Sequence, residues 1–383
     1  MHNVFLIFIF FSFGLFGFVF IGYPFLILLI SKYKRNHAHS INDQLEKDLP
    51  SVTLIVTAKN EEDVIEHKIN NSLNLDYPKD KIEYIFVSDG STDNTAKILT
   101  KYSGIIKTII LEKNVGKTEA QNIAVAQANG DILVFSDANT MLSKLAIKKL
   151  VRHFQNEKVA GVSGNLIYSS KFGDRNTEYA YNKFDAVLRK AESRFGMVLG
   201  SYGALYAIRA NKYIPLPPYV ISDFVEPSMQ LINGYFNLFE EEAFGIEEAN
   251  NSIIKEMRRK ERIILRSLVG YHYLLKNGLL QRKGLLFHSF IRKFLRWMLP
   301  FYTMCGIIGI AGLLFEESLV DFSVFLMSLF LLLVITYVMI KKNLIKGKLV
   351  RYFAYFYILN IASLKALFRF LIGERPSSWN PRQ

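Results

Sequence analysis

The sequence predicts an α/β domain with a mostly parallel central sheet, held between membrane-embedded ends. Three observations carry that prediction. Half of the 383 residues are apolar, yet they crowd into the two ends of the chain and leave a mixed middle. In that middle, short β-branched runs alternate with segments of helical period, the pattern of strands joined by crossover helices. The first four runs each end in a polar cluster, and ligands in such sheets sit at the carboxyl ends of the strands.

The elements follow in order. Residues 4–30 carry no charged side chain and exceed the roughly 20 residues that a helix needs to cross a bilayer core. They lack a basic stretch in front and a small-residue cleavage site behind, so residues 1–31 read as a retained transmembrane anchor rather than a signal peptide. Lys32, Lys34 and Arg35 follow directly, and the positive-inside tendency assigns what comes next to the cytoplasm. Residues 32–50 read as a linker, its polar part, 36–50, closing at Pro50.

The domain expected over 51–270 opens with SVTLIVTAKNE, and YIFVSDG, IKTIILEKN and DILVFSDAN continue the strands. Helical segments follow the last three at 92–102, 117–129 and 143–155. Further on, 159–168 and GALYAIR read as strands, 177–195 as a polar amphipathic helix and 252–268 as a closing basic helix. Within an interfacial region at 271–297, Arg292, Lys293 and Arg296 interrupt Leu, Phe, Ile and Trp as in a helix lying along a membrane surface. Residues 298–315 and 322–340 read as two spans within 298–340, separated by FEESLVD and closed by Lys341, Lys342, Lys346 and Lys348. In the tail 341–383, Arg351, Lys365 and Arg369 break the run at 349–372, which favours an interfacial or re-entrant helix over another span.

Charge and cysteine content exclude several classes. The net charge is +13, but the basic residues cluster at 254–296 and 341–351, beside apolar segments, as anionic lipid would require. No nucleic-acid-binding motif accompanies them. Cys305 is the only cysteine, which rules out an internal disulfide and a cysteine-based metal site. GKT at 116–118 lacks the glycine a P-loop requires, since Leu111 stands there, and no GxGxxG follows the first strand.

What remains are two Asp-led strand ends, SDGSTDN at 88–94 and SDANT at 136–140. Asp137 and Asn139, two residues apart on a turn, are oxygen ligands suited to Mg²⁺ or Mn²⁺, with phosphate oxygens and water completing the shell. An Asx-turn capping the next helix explains them equally well.

VTLIVTAKNEE, VSDGSTDNT, KNVGKTEAQNIA and VFSDANT, in that order, closely resemble family 2 glycosyltransferases of the GT-A fold, over roughly residues 51–270. The flanking apolar segments resemble the cellulose, hyaluronan and exopolysaccharide synthase branch. The resemblance implies that the turn from Ala58 to Glu61 and Asp89 border the nucleoside, with Asp89 at the base. It implies Lys117 near nucleotide or diphosphate, and Asp137 as the metal-proximal carboxylate. Asn139 departs from the usual Asp-x-Asp: its amide still coordinates through oxygen but neutralises no charge. Asp223 in VISDFVEP matches the family's general base, whereas the residues alone read it as the N-cap of a helix starting near Phe224. Arg262 in RKERI matches the arginine of Gln-x-x-Arg-Trp on a helix of the processive relatives, with Arg259 and Ile263 replacing the glutamine and tryptophan.

The resemblance thus implies an inverting transferase at the inner (plasma) membrane, using a nucleotide-sugar donor, a saccharide or lipid-linked acceptor and the surrounding membrane lipids. Polysaccharide synthesis leads. Transfer of a single sugar to a lipid carrier and a non-catalytic nucleotide-sugar-binding or export component are its rivals. Three or four helices make a narrow export path, which a second copy or an export partner would widen.

Overall fold

The computed structural model describes residues 1–33, 49–169, 177–248, 253–341 and 348–376. Most of the expected polar linker, including Lys34 and Arg35, lies outside the described residues, as do Lys342 and Lys346. The chain divides into two compact units, residues 28–249, 269–286 and 375–383, and residues 1–27, 250–268 and 287–374.

Among the described residues, the first unit is built on eight strands: β1 (Val52–Ala58), β2 (Ile82–Asp89), β3 (Lys107–Leu111), β4 (Ile132–Asp137), β5 (Met141–Leu142), β6 (Val159–Ser169), β7 (Leu205–Arg209) and β8 (Phe236–Glu248). They form one sheet in the order β3-β2-β1-β4-β7-β6-β8-β5. The β3-β2-β1-β4 half is parallel, as the alternating pattern predicts. β7 then runs antiparallel to both β4 and β6, β6 pairs parallel with β8, and β5 closes the edge antiparallel to β8. The sheet is therefore mixed beyond β4. β8 is missing from the sequence expectation because its acidic FNLFEEEAFGIEE lacks a regular apolar alternation.

Strand periodicity places one core on each face. Leu54, Val56, Phe86 and Val134 face Ile65, Ile69, Leu99, Ile147 and Leu150 of the helices Ile65–Leu73, Thr95–Lys101 and Ala146–Val151. Ile55, Ile85, Val87 and Phe135 face the other way, onto Ala120 and Ala124 of the helix Lys117–Val125. With both faces covered, β1 is buried along its whole length.

β8 is also fastened by charge. Glu240 accepts hydrogen bonds from Arg152 Nη2 at 2.6 Å and Nε at 3.1 Å, and pairs with His153 Nε2 at 2.6 Å. Burial alone would raise its pKa, but the His153 and Arg152 bonds outweigh that and hold the carboxyl at about 2, against an ordinary 4.5. A depressed carboxyl contributes stability above its unfolded pKa and loses it as the pH falls through the folded one. Glu240 should therefore contribute about 3 kcal/mol at neutral pH, lost between about pH 4.5 and 2. Thermal unfolding of Glu240→Gln should show a lower midpoint at pH 7 and a flatter acid limb than wild type.

In the second unit the N-terminal helix starts at His2 and widens into a π-turn at Phe18–Gly22. Pro24 supplies no backbone N–H for the carbonyl of Phe20, and the widened turn precedes that break. Gly306, Gly309 and Gly312 on the helix Leu299–Glu317 let the N-terminal helix approach: a Cβ on Gly309 would lie 2.8 Å from the Phe5 carbonyl oxygen. Ser12 Oγ donates to the Tyr302 carbonyl across the same contact. The helices Leu319–Lys341 and Lys348–Leu371 follow. Among the described residues, four helices are long and apolar enough to cross a membrane, the stretch Tyr352–Leu371 among them. That stretch is one unbroken helix despite Lys365 and Arg369.

Candidate donor and acceptor site

The site is assembled from the turns after β1, β2 and β4. After β1 the backbone turns through Asn60 in the left-handed region, φ +53°, a conformation Asn tolerates better than most residues. The Asn60 side chain accepts the Thr92 N–H at 2.8 Å, and the Glu61 N–H donates to Thr95 Oγ1 at 2.8 Å. The Glu62 N–H reaches Asp93 Oδ2 at 3.2 Å. The turns after β1 and β2 thus form one rim, with Ala58 and Glu61 buried in it.

Asp89, the last residue of β2, is fully buried. Its Oδ1 accepts the Val115 N–H at 2.7 Å and its Oδ2 the Gly116 N–H at 3.0 Å. Burial raises its pKa, while these two N–H groups and Lys59 oppose the rise. Gly90, at φ +59°, lets the Lys113–Asn114 backbone lie directly on the turn, where a Cβ would overlap it. Asp89 therefore anchors the loop that starts the helix Lys117–Val125 and so sets where Lys117 stands.

Lys117 Nζ forms a short ion pair with Asp137 Oδ1 and lies 3.4 Å from the Gly203 carbonyl oxygen. A Cβ on Gly203 would overlap Asp223 Oδ2 and come within 3.1 Å of Lys117 Nζ. The absent side chain at 203 is what lets the Asp223 carboxylate and the Lys117 ammonium face one another. Asp223 occupies the first turn of the helix Ser222–Ile232, whose cap position is Ile221 with no side-chain cap. The helix starts one residue before Asp223, so the N-cap role read from the residues alone is not the one it takes. Its carbonyl accepts the Ser201 N–H at 2.6 Å, which ties this helix to the Gly203 loop.

Two charged residues at the site escape a reading by motifs. Lys68 is completely buried; its Nζ donates to Ser136 Oγ at 2.7 Å and to the Thr140 carbonyl at 2.5 Å. Burial lowers its pKa to about 7, against the raising effect of Asp137 and Glu247. Glu247, buried on β8, accepts the Thr140 hydroxyl. Burial and then Asp137 raise its pKa to about 7, while Thr140, Lys117 and Lys68 pull it down. A signal for Lys68 does exist: it shares with Ile65, Ile69 and Ser72 the buried face of an amphipathic helix, a place where a lysine is costly unless partnered. No signal marks Glu247, since β8 itself does not read as a strand.

Among the described residues no three His, Cys, Asp or Glu side chains gather as a complete metal site. Asp137 nevertheless carries one cation already, the Lys117 ammonium. Its side chain is 22% exposed, and Asn139 is exposed beside it. One carboxylate and one amide oxygen on an open turn suit a divalent ion whose remaining ligands are phosphate oxygens and water. Arg262, the remaining candidate, lies half-buried in the helix Ile253–Lys276, on the stretch 250–268 of the second unit. There Arg259 is engaged by Glu256 at 2.9 Å.

Residues 53–207 match the family described as Glycosyl transferase family 2. A probable glycosyltransferase, YdaM of Bacillus subtilis (strain 168), is 37% identical over 121 residues, 30% of this chain and 29% of that protein. The poly-beta-1,6-N-acetyl-D-glucosamine synthase of Staphylococcus aureus (strain MSSA476) is 34% identical over 138 residues, 35% of this chain and 32% of the synthase. The match thus spans about a third or less of these relatives' length. Among solved structures, a mannosyltransferase, PcManGT from Pyrobaculum calidifontis in complex with GDP-Man and Mn²⁺, superposes with a TM-score of 0.66. The alignment has 19% identity and covers 95% of this chain and 99% of that one. The fold is that of a GT-A transferase, and the resemblance read from the four motifs holds over the matched segment.

Proposed function

We propose that this chain, with a family 2 glycosyl transferase domain on a GT-A fold, is a membrane-bound inverting glycosyltransferase. It moves a sugar from a nucleotide-sugar, a UDP-sugar foremost, to a growing polysaccharide at the cytoplasmic face of the inner membrane. The observation that carries the reading is the meeting of Asp223 with Lys117 and Asp137 at Gly203. It supports the reading because a displacement at an anomeric carbon requires a base for the acceptor and a cation for the leaving group.

In that displacement Asp223 takes the proton of the acceptor hydroxyl as its oxygen bonds to the anomeric carbon. The bond from that carbon to the diphosphate oxygen breaks, and its electron pair leaves with the diphosphate. Lys117 offsets the charge that develops there. Mg²⁺ or Mn²⁺ on Asp137 and Asn139 would add further neutralisation of the leaving diphosphate. Asp89 keeps the Lys117 loop in place and borders the nucleoside together with Ala58 and Glu61.

A second reading, transfer of one sugar to a lipid-linked acceptor, is favoured by one feature. Ile263 stands where the processive relatives carry a tryptophan platform, and Arg259 is committed to Glu256. Full-length protein in detergent, given a panel of UDP- and GDP-sugars with Mg²⁺ or Mn²⁺, should release nucleoside diphosphate from one of them. Product length separates polymer from single transfer, and release from none of the donors would overturn both readings.

A further inference from the structure

Asn139 leaves the cation site one carboxylate short of the family's usual pair, and a buried carboxylate stands behind the same turn. Residues 136–140 are held from two sides. Lys68, from the helix Ile65–Leu73, binds Ser136 Oγ and the Thr140 carbonyl. Glu247, from β8, binds the Thr140 hydroxyl. Gly245 lies against Thr140 so closely that a Cβ there would overlap the Thr140 methyl carbon. Met141 and Leu142 then pair with Ile246 and Gly245. The turn that presents Asp137 and Asn139 is thus seated on the stretch of β8 that carries Glu247.

We infer that Glu247 is a positioning residue for the proposed donor site: through Thr140 it seats the Asp137–Asn139 turn, and from behind that turn it supplies the negative charge that Asn139 lacks. Lys68 is its counter-cation and ties down the two ends of the turn. A carboxylate cannot be buried without such a partner. The charge acts through space rather than by ligation, and weak screening in the interior preserves its effect on a cation at Asp137. The inference rests on the metal-binding part of the proposed function.

The groups facing Glu247 are Thr140, Asp137, Lys117 and Lys68, and because Glu247 and its counter-cation Lys68 both stand at about 7, wild type and variants are compared at about pH 7, where the charged pair is most populated. Mn²⁺ uptake by the full chain in detergent is followed by electron paramagnetic resonance. It is titrated alone and with whichever nucleoside diphosphate the donor panel releases. Glu247→Gln keeps an oxygen to accept the Thr140 hydroxyl and removes only the charge; it should weaken Mn²⁺ binding about tenfold. Adding Asn139→Asp to that variant moves the charge onto the turn and should restore the affinity.

Unchanged Mn²⁺ affinity in Glu247→Gln, with wild type binding normally, would overturn this inference and leave the function standing. The inference falls equally if Asn139→Asp fails to rescue a Glu247→Gln protein whose unfolding midpoint matches wild type. A wild type that takes up no Mn²⁺ under either condition would overturn both the metal reading of Asp137 and this inference. The donor panel would then decide the transferase reading by itself.

Discussion

Asp223→Asn is expected to lower the release of nucleoside diphosphate by about 10³-fold while leaving donor affinity within a few-fold of wild type. The magnitude follows from the role: a positioned base contributes roughly 10²–10⁴ to such a step. The carboxamide has the size of the carboxylate but almost no affinity for the acceptor proton. Asp223 sits in the first turn of its helix, whose cap position is Ile221, so the substitution leaves the cap residue unchanged. Its backbone carbonyl, which holds Ser201, is untouched. Steady-state release with the productive donor, paired with equilibrium binding of the nucleotide, separates the two effects. Wild-type turnover in this variant would place the base elsewhere.

Gly203→Ala should cost about 10²-fold in turnover with little change in the unfolding midpoint. The added Cβ overlaps Asp223 Oδ2 and crowds Lys117 Nζ, both of them ends of side chains. Side-chain ends can swing aside, so the backbone survives. The base and the cation cannot both keep their places, and displacements of about 1 Å at a reacting centre cost on the order of 10² in rate. Gly130 offers the contrast, since a Cβ there meets the Thr53 backbone nitrogen and the strain would fall on the fold. Kinetics and thermal unfolding of the same Gly203→Ala preparation check the prediction. A large loss of stability alongside activity would mean that the loop, rather than the facing charges, requires glycine.

Asp89 and Asp137 look alike in the sequence, each closing a strand in a Ser-Asp pair, and the fold gives them different surroundings. Asp89 is sealed in and spends both oxygens on the backbone of the Lys117 loop. Asp137 remains partly exposed and meets the Lys117 ammonium itself. Burial is set by which strands and loops lie alongside, and β3 and the 113–116 loop cover only the first of the two.

The sequence by itself determined the parallel half of the sheet, the apolar helices at both ends and the polar residues at the strand ends. Those features depend on local periodicity and on turn chemistry within a few residues. Only the tertiary structure decided the reversal at β7, the existence of β8, the opposition of Asp223 and Lys117 across Gly203, and the buried Lys68 and Glu247 beneath the Asp137 turn. Each of these brings together residues from separate elements, and local pattern carries no information about such pairings. Whether a charge is costly or useful depends on what is packed against it, and that is settled when the chain folds.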